Sequence, residues 1–60
     1  MIFIRTIEDI RNNGFSIDSY IEQLVIDAFD RDDVLFINNK RQLIAKNDDT
    51  NEERILAVFA

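Results

Sequence analysis

Few side chains in this chain can act as nucleophile, general base or metal ligand. It has 60 residues and contains no His and no Cys. A nucleophilic hydroxyl needs an adjacent base to activate it. The only hydroxyls of Ser or Thr are Thr6, Ser16, Ser19 and Thr50. Thr6, Ser16 and Thr50 precede amphipathic runs and read as helix caps. Ser19 falls on the polar side of a helical pattern, with no basic neighbour. Carboxylates cluster at Asp30-Arg31-Asp32-Asp33 and at Asp48-Asp49. A carboxyl serving as a general acid needs a dry pocket to raise its pKa. Both clusters lie in polar stretches that read as solvated connectors. The sequence therefore predicts a protein that binds rather than an enzyme.

Metals and cofactors are excluded on similar grounds. An ordinary zinc site needs Cys or His. Asp30, Asp32 and the main chain of Val34 have the spacing that opens a calcium loop. That loop requires Gly at its sixth position and Glu at its twelfth. Here those positions hold Leu35 and Arg41. Gly14 is the only glycine, so no phosphate-binding loop is available. No metal and no cofactor are expected.

Twelve acidic residues against seven basic ones give a formal charge of −5. That balance disfavours neutralising a run of phosphates and docking on an anionic membrane. The Met1–Ile4 run is too short for a span or a secretory leader. Together with the lack of Cys, this points to the cytoplasm. The Ile, Asn, Asp and Phe content suggests an AT-rich gene, of a kind common in phages and mobile elements. Met1 and the short length suggest a small complete gene product.

The positions of these residues follow from the elements that carry them. Residues 1–60 read as a single small α+β domain. Met1–Arg5 is a short strand. Thr6 with Asp9 forms a capping box that opens a first helix. Asn12-Asn13-Gly14 ends it, and Ile10 with Phe15 occupies the two contacting positions of a Schellman motif. Ser16 is the expected N-cap of a second helix over about Ile17–Asp30, with Phe15 and Tyr20 as a hydrophobic staple. Ile17, Tyr20, Ile21, Leu24, Val25, Ala28 and Phe29 share one face of that helix. A hairpin follows, Val34–Ile37 and Gln42–Ala45. With Asn39-Lys40 as a two-residue turn, Phe36 lies opposite Leu43 and Leu35 opposite Ile44. The tail over 52–60 reads as a third β run, although its Thr50–Glu53 box and its alanines also suit a helix. The fold expected is a short strand, two helices joined at Gly14-Phe15, a hairpin and a C-terminal strand (or short helix). The helices cover one face of a small antiparallel sheet.

Two surfaces then suggest binding. Both faces of the hairpin are apolar, where a half-exposed hairpin should alternate. A domain of this size buries only roughly 60% of its unfolded surface. A second copy covering Leu35, Ile37 and Ile44 would supply the missing burial, so a homodimer is expected. On the second helix, Ile26 interrupts the polar arc. With Glu22, Gln23, Asp27 and Asp30 around it, and Tyr20 at the edge, it has the apolar centre and polar rim of a protein contact. The function these features suggest is a small acidic modulator acting through protein–protein contacts, such as a phage or mobile-element inhibitor of a host protein.

Two other classes remain in view. Helix, Gly turn, helix and hairpin follow in the order of a winged helix, which the chain resembles in topology. Lys40 and Arg41 would then sit at the tip of the wing. The acidic second helix, however, offers base edges only Gln23 and Ser19 as neutral polar groups. A purely structural or assembly subunit is the third class.

Overall fold

The computed structural model describes all of residues 1–60. The elements are β1 (Ile2–Ile4), α1 (Ile7–Asn12), α2 (Ser19–Asp30), β2 (Val34–Ile37), β3 (Gln42–Lys46) and β4 (Glu53–Val58). The strands form one antiparallel sheet in the order β1-β2-β3-β4. Both helices are inserted between β1 and β2, and α2 lies against β2 and β4. The α+β architecture is the one the sequence predicts, and the tail is a strand.

Local hydrogen bonds set the helix ends. Thr6 takes extended backbone angles, and its Oγ1 accepts from the Asp9 N–H at 3.3 Å. The Asp9 carboxylate accepts in return from the Thr6 N–H at 3.1 Å and from the Arg5 N–H at 2.8 Å. The Arg5 backbone donor, and then that of Thr6, hold the Asp9 carboxyl below the usual carboxylate range. At the other end the Phe15 N–H reaches the Ile10 carbonyl at 3.2 Å, and the Gly14 N–H reaches that of Arg11 at 2.9 Å. This is the Schellman pattern, with Gly14 at φ 87°.

The second helix starts later than its sequence suggests. Asp18, not Ser16, is the N-cap, its Oδ1 accepting from the Ile21 N–H at 2.9 Å. Ile17 stays outside the helix, half-buried against the core. Tyr20 is exposed, so no staple joins it to Phe15. Phe15 packs instead on Phe59, with ring centroids 4.6 Å apart. The far end of α2 carries a second Schellman pattern without glycine. Asp32 sits at φ 60°, its N–H donating to Phe29 O at 3.0 Å, and the Asp33 N–H donates to Ala28 O at 3.0 Å.

The β2–β3 connection differs from the expected two-residue turn. The Arg41 N–H closes onto the Asn38 carbonyl at 3.1 Å, and Arg41 itself takes φ 61°. Asn38 Oδ1 accepts from the N–H groups of Lys40 at 2.9 Å and Gln42 at 3.0 Å. The loop is thus Asn39-Lys40-Arg41, a turn closed by a left-handed residue. The extra residue moves the register by one, so Phe36 pairs with Ile44 and Leu35 with Ala45. A shift of one residue exchanges the faces. Leu35 and Ile37, expected at a self-association surface, point under the helices and are fully buried. Ile44 points to the opposite face.

The core is the space between the sheet and the helices, filled by Ile4, Ile10, Val25, Ala28, Leu35, Ile37, Leu43 and Ala45. A bulge in β4 lets Leu56 and Ala57 pack against it in succession. Thr50 caps no helix. The 47–52 connection is tied by Asn47 Oδ1, which accepts from the N–H groups of Asp49 and Thr50. Asp33 is the one buried charged residue, and its Oδ2 accepts from Arg54 NH2 at 3.1 Å. That pairing stitches the end of α2 to β4.

Two stability measurements test these assignments. An added Cβ at Gly14 meets nothing within 4 Å, so the cost of Gly14→Ala is conformational alone. It should lower stability by about 1 kcal/mol, whereas Asp32→Gly should raise it by roughly 0.5–1 kcal/mol. Urea midpoints of the two variants moving the same way would contradict the two caps. The depressed Asp9 carboxyl stabilises the fold fully above the ordinary carboxylate pKa of about 4, and this is lost as pH falls through its lower folded value. The stability gap between the wild type and Asp9→Ala should therefore be constant near neutrality and shrink in acid. A gap that does not change with pH would remove the capping box from this account.

Candidate protein-contact surface

The sheet face turned away from the helices is built from one residue in two along each strand. Register aligns these residues into rows across the sheet. The central row is Phe3, Phe36, Ile44 and Ile55, apolar on all four strands. Phe3 and Phe36 meet edge to face with centroids 6.3 Å apart. The two central side chains are shielded by their neighbours, Phe36 to 7% and Ile44 to 6% exposure. The flanking ones are open to solvent, Phe3 at 60% and Ile55 at 58%, and Met1 and Val58 also project. One side of the stripe is a groove of about 300 Å³. Met1, Phe3, Val34 and Phe36 line its apolar part, and Lys46, Asp48 and Glu53 its charged part. An apolar stripe with polar margins is what a protein contact requires.

Neither sheet edge competes with this face. β1 is only three residues long, and β4 begins with Glu53 and Arg54 and carries the bulge. Short, charged and bulged edges resist pairing with another strand.

The residues singled out on α2 are dispersed. Ile26 is exposed to 37%, at the flank of the helix rather than its crest. Glu22 Oε2 accepts from Arg11 NH2 at 3.0 Å, tying α2 to α1. The Arg11 NH1 also donates to Glu8 at 2.9 Å. Gln23 donates to Asp27 Oδ1 at 3.1 Å. Asp30 is exposed in the last turn. Tyr20 lies six residues before Ile26, which at 3.6 residues per turn is about 120° away around the helix, so it does not join the Ile26 patch. Arg41 folds back over the Phe15 ring, its Cζ 5.5 Å from the centroid. Only Lys40 extends freely from the hairpin loop.

No three acidic side chains converge as a metal cluster would. The remaining hollows are a polar one at Arg31, Asp33, Asn47, Glu52 and Arg54, and an open one at the α1–α2 corner. Arg54 and Asp33 already satisfy each other in the first, and Arg11 is already paired beside the second. No helix is long and apolar enough to cross a membrane.

Sequence reasoning missed Phe3, Phe36, Ile55 and Val58. The available signal was the two-faced hairpin, which requires a covering element, but its neighbours in space come from strands distant in sequence. Comparison with protein-family models, with curated proteins and with solved structures finds no match.

Proposed function

We propose that this chain is a non-catalytic protein-binding module whose contact surface is the open sheet face. The observation that carries this reading is the Phe3–Phe36–Ile44–Ile55 stripe, exposed at both ends and bordered by charge. Exposing such a stripe costs about 25 cal/mol per Å² of apolar surface relative to covering it. Covering it with another polypeptide recovers that free energy. The absence of His and Cys and the occupation of the hydroxyls in caps and turns support a role without catalysis. A cytoplasmic modulator of another protein, such as an inhibitor encoded by a phage or mobile element, fits the size and acidity. The helical layer, carrying Glu22, Gln23, Asp27 and Asp30, is the outward acidic surface of such a module.

Phe3→Thr and Ile55→Thr keep strand-compatible residues at exposed sites and should leave the circular dichroism spectrum unchanged. Combined, they should weaken association with any polypeptide at least tenfold, measured by sedimentation and by capture of bound proteins. Ile26→Asp, on the other layer, should leave it intact. The reverse pattern would place binding on α2 and overturn this assignment.

A further inference from the structure

We propose that the occupant of the open sheet face is a second copy of this chain, packed about a two-fold axis that runs parallel to the strands between β2 and β3. This rests on the contact-surface reading above. A two-fold relation between facing sheets must have its axis in the plane between them, because an axis perpendicular to that plane leaves both copies on the same side. An axis along the strands reverses the strand order, so that β1 faces β4 of the partner and β2 faces its β3. Such an interface is isologous, and each residue must suit its counterpart.

The rows satisfy this condition one after another. In the central row Phe3 lies over Ile55 of the partner subunit, and Phe36 over Ile44 of the partner subunit. Large exposed side chains thus meet each other, and the two shielded ones meet at the axis. Toward the hairpin loop, the register places Asn38 and Gln42 in one row, with Val58 beside Gln42. Extending β1 back by one residue brings Met1 to the other end of that row. Met1 then meets Val58 of the partner subunit, so that the two most exposed apolar side chains of the face cover each other. At the opposite margin, Val34, Lys46 and Glu53 are aligned. Extending β1 forward by one residue adds Arg5. The axis sets Arg5 against Glu53 of the partner subunit, an opposite-charge pair formed twice.

The alternative axis, perpendicular to the strands, fits worse. It would bring the margin of Arg5 and Glu53 over Met1 and Val58, burying charge against apolar groups without a partner. The size is also suitable. Four strands about 4.8 Å apart and roughly five residues long, with side-chain relief, give on the order of 1,000 Å² buried by the pair, the threshold of a specific interface. The sheets would stack about 10 Å apart with their strands inclined by about 30°.

The test places a benzophenone photocrosslinker at position 58 of the full chain and irradiates the cells that produce it. A product of two chains, joined at Met1–Phe3 of the partner, is expected. In solution the protein should sediment as two chains of 7.1 kDa each. Arg5→Glu or Glu53→Arg alone should weaken this dimer about tenfold, since two rim pairs are lost at once, and the double swap should restore it. The rescue requires that the variants fold and fixes the axis. Single swaps without effect, or a double swap without recovery, would overturn the proposed two-fold. Crosslinking only to a different protein would overturn the dimer and leave the protein-binding reading standing. Crosslinking to no polypeptide would overturn both.

Discussion

The Asn38 side chain decides which residues this molecule buries and which it displays. Its carbonyl oxygen collects the N–H groups of Lys40 and Gln42, while its main chain accepts from Arg41. These bonds hold a three-residue loop and thereby the register of β2 against β3. Side chains alternate with a period of two, so one residue more or less in the loop would invert both strands. Leu35, Ile37, Leu43 and Ala45 would then face solvent, and Phe36 and Ile44 the helices. The core, the stripe and the placement of α2 over β2 all presuppose this loop. Arg41 bears its cost by adopting a left-handed conformation, and its contact with Phe15 ties the loop tip back to the helical layer.

What could be read from the sequence divides by the range of the interaction. Thr6 with Asp9 and Gly14 with Phe15 were legible because each bond spans only a few residues and depends on residue type. The start of α2 was not, because Ser16 and Asp18 are both competent caps. The burial of Ile17 from outside the helix separates them, and that is a tertiary contact. The hairpin register was misjudged because Asn39-Lys40 suits a tight turn, while nothing in the residue type of Arg41 announces φ 61°. In the tail, Leu56 and Ala57 broke the expected alternation because a bulge turns both inward, and the pairing with β3 decides in favour of a strand. The contact surface was half legible. The surplus apolar face of the hairpin was visible, but Phe3 and Ile55 join it only through the order of the sheet.

Charge is distributed in keeping with this division. Asp27, Asp30, Asp32 and Asp33 gather near the C-terminal end of α2, where the helix dipole disfavours them by about 0.3–1 kcal/mol each at most. Arg54 compensates only Asp33. Such a placement weakens α2 as an isolated element, so the helix depends on Val25, Ala28, Ile21 and Phe29 packing on the sheet. The sheet in turn has no second layer of its own. Each layer is therefore stabilised by the shared core, and the unshared faces differ in kind: acidic on the helices, apolar on the strands.

That contrast constrains how the molecule can associate. Two copies approaching through their helical faces bring carboxylates together, and a net charge of −5 on each makes undirected contact unfavourable. Approach edge to edge meets a three-residue strand on one side and Glu53, Arg54 and a bulge on the other. Approach through the open faces meets neither obstacle. It brings apolar groups together at the centre and leaves the acidic helices at the two outer poles of the pair, as far apart as the sheets allow. The acidic residues thus act by exclusion: they leave the stripe as the surface on which contact lowers the free energy, and they keep the outer poles dispersed in water.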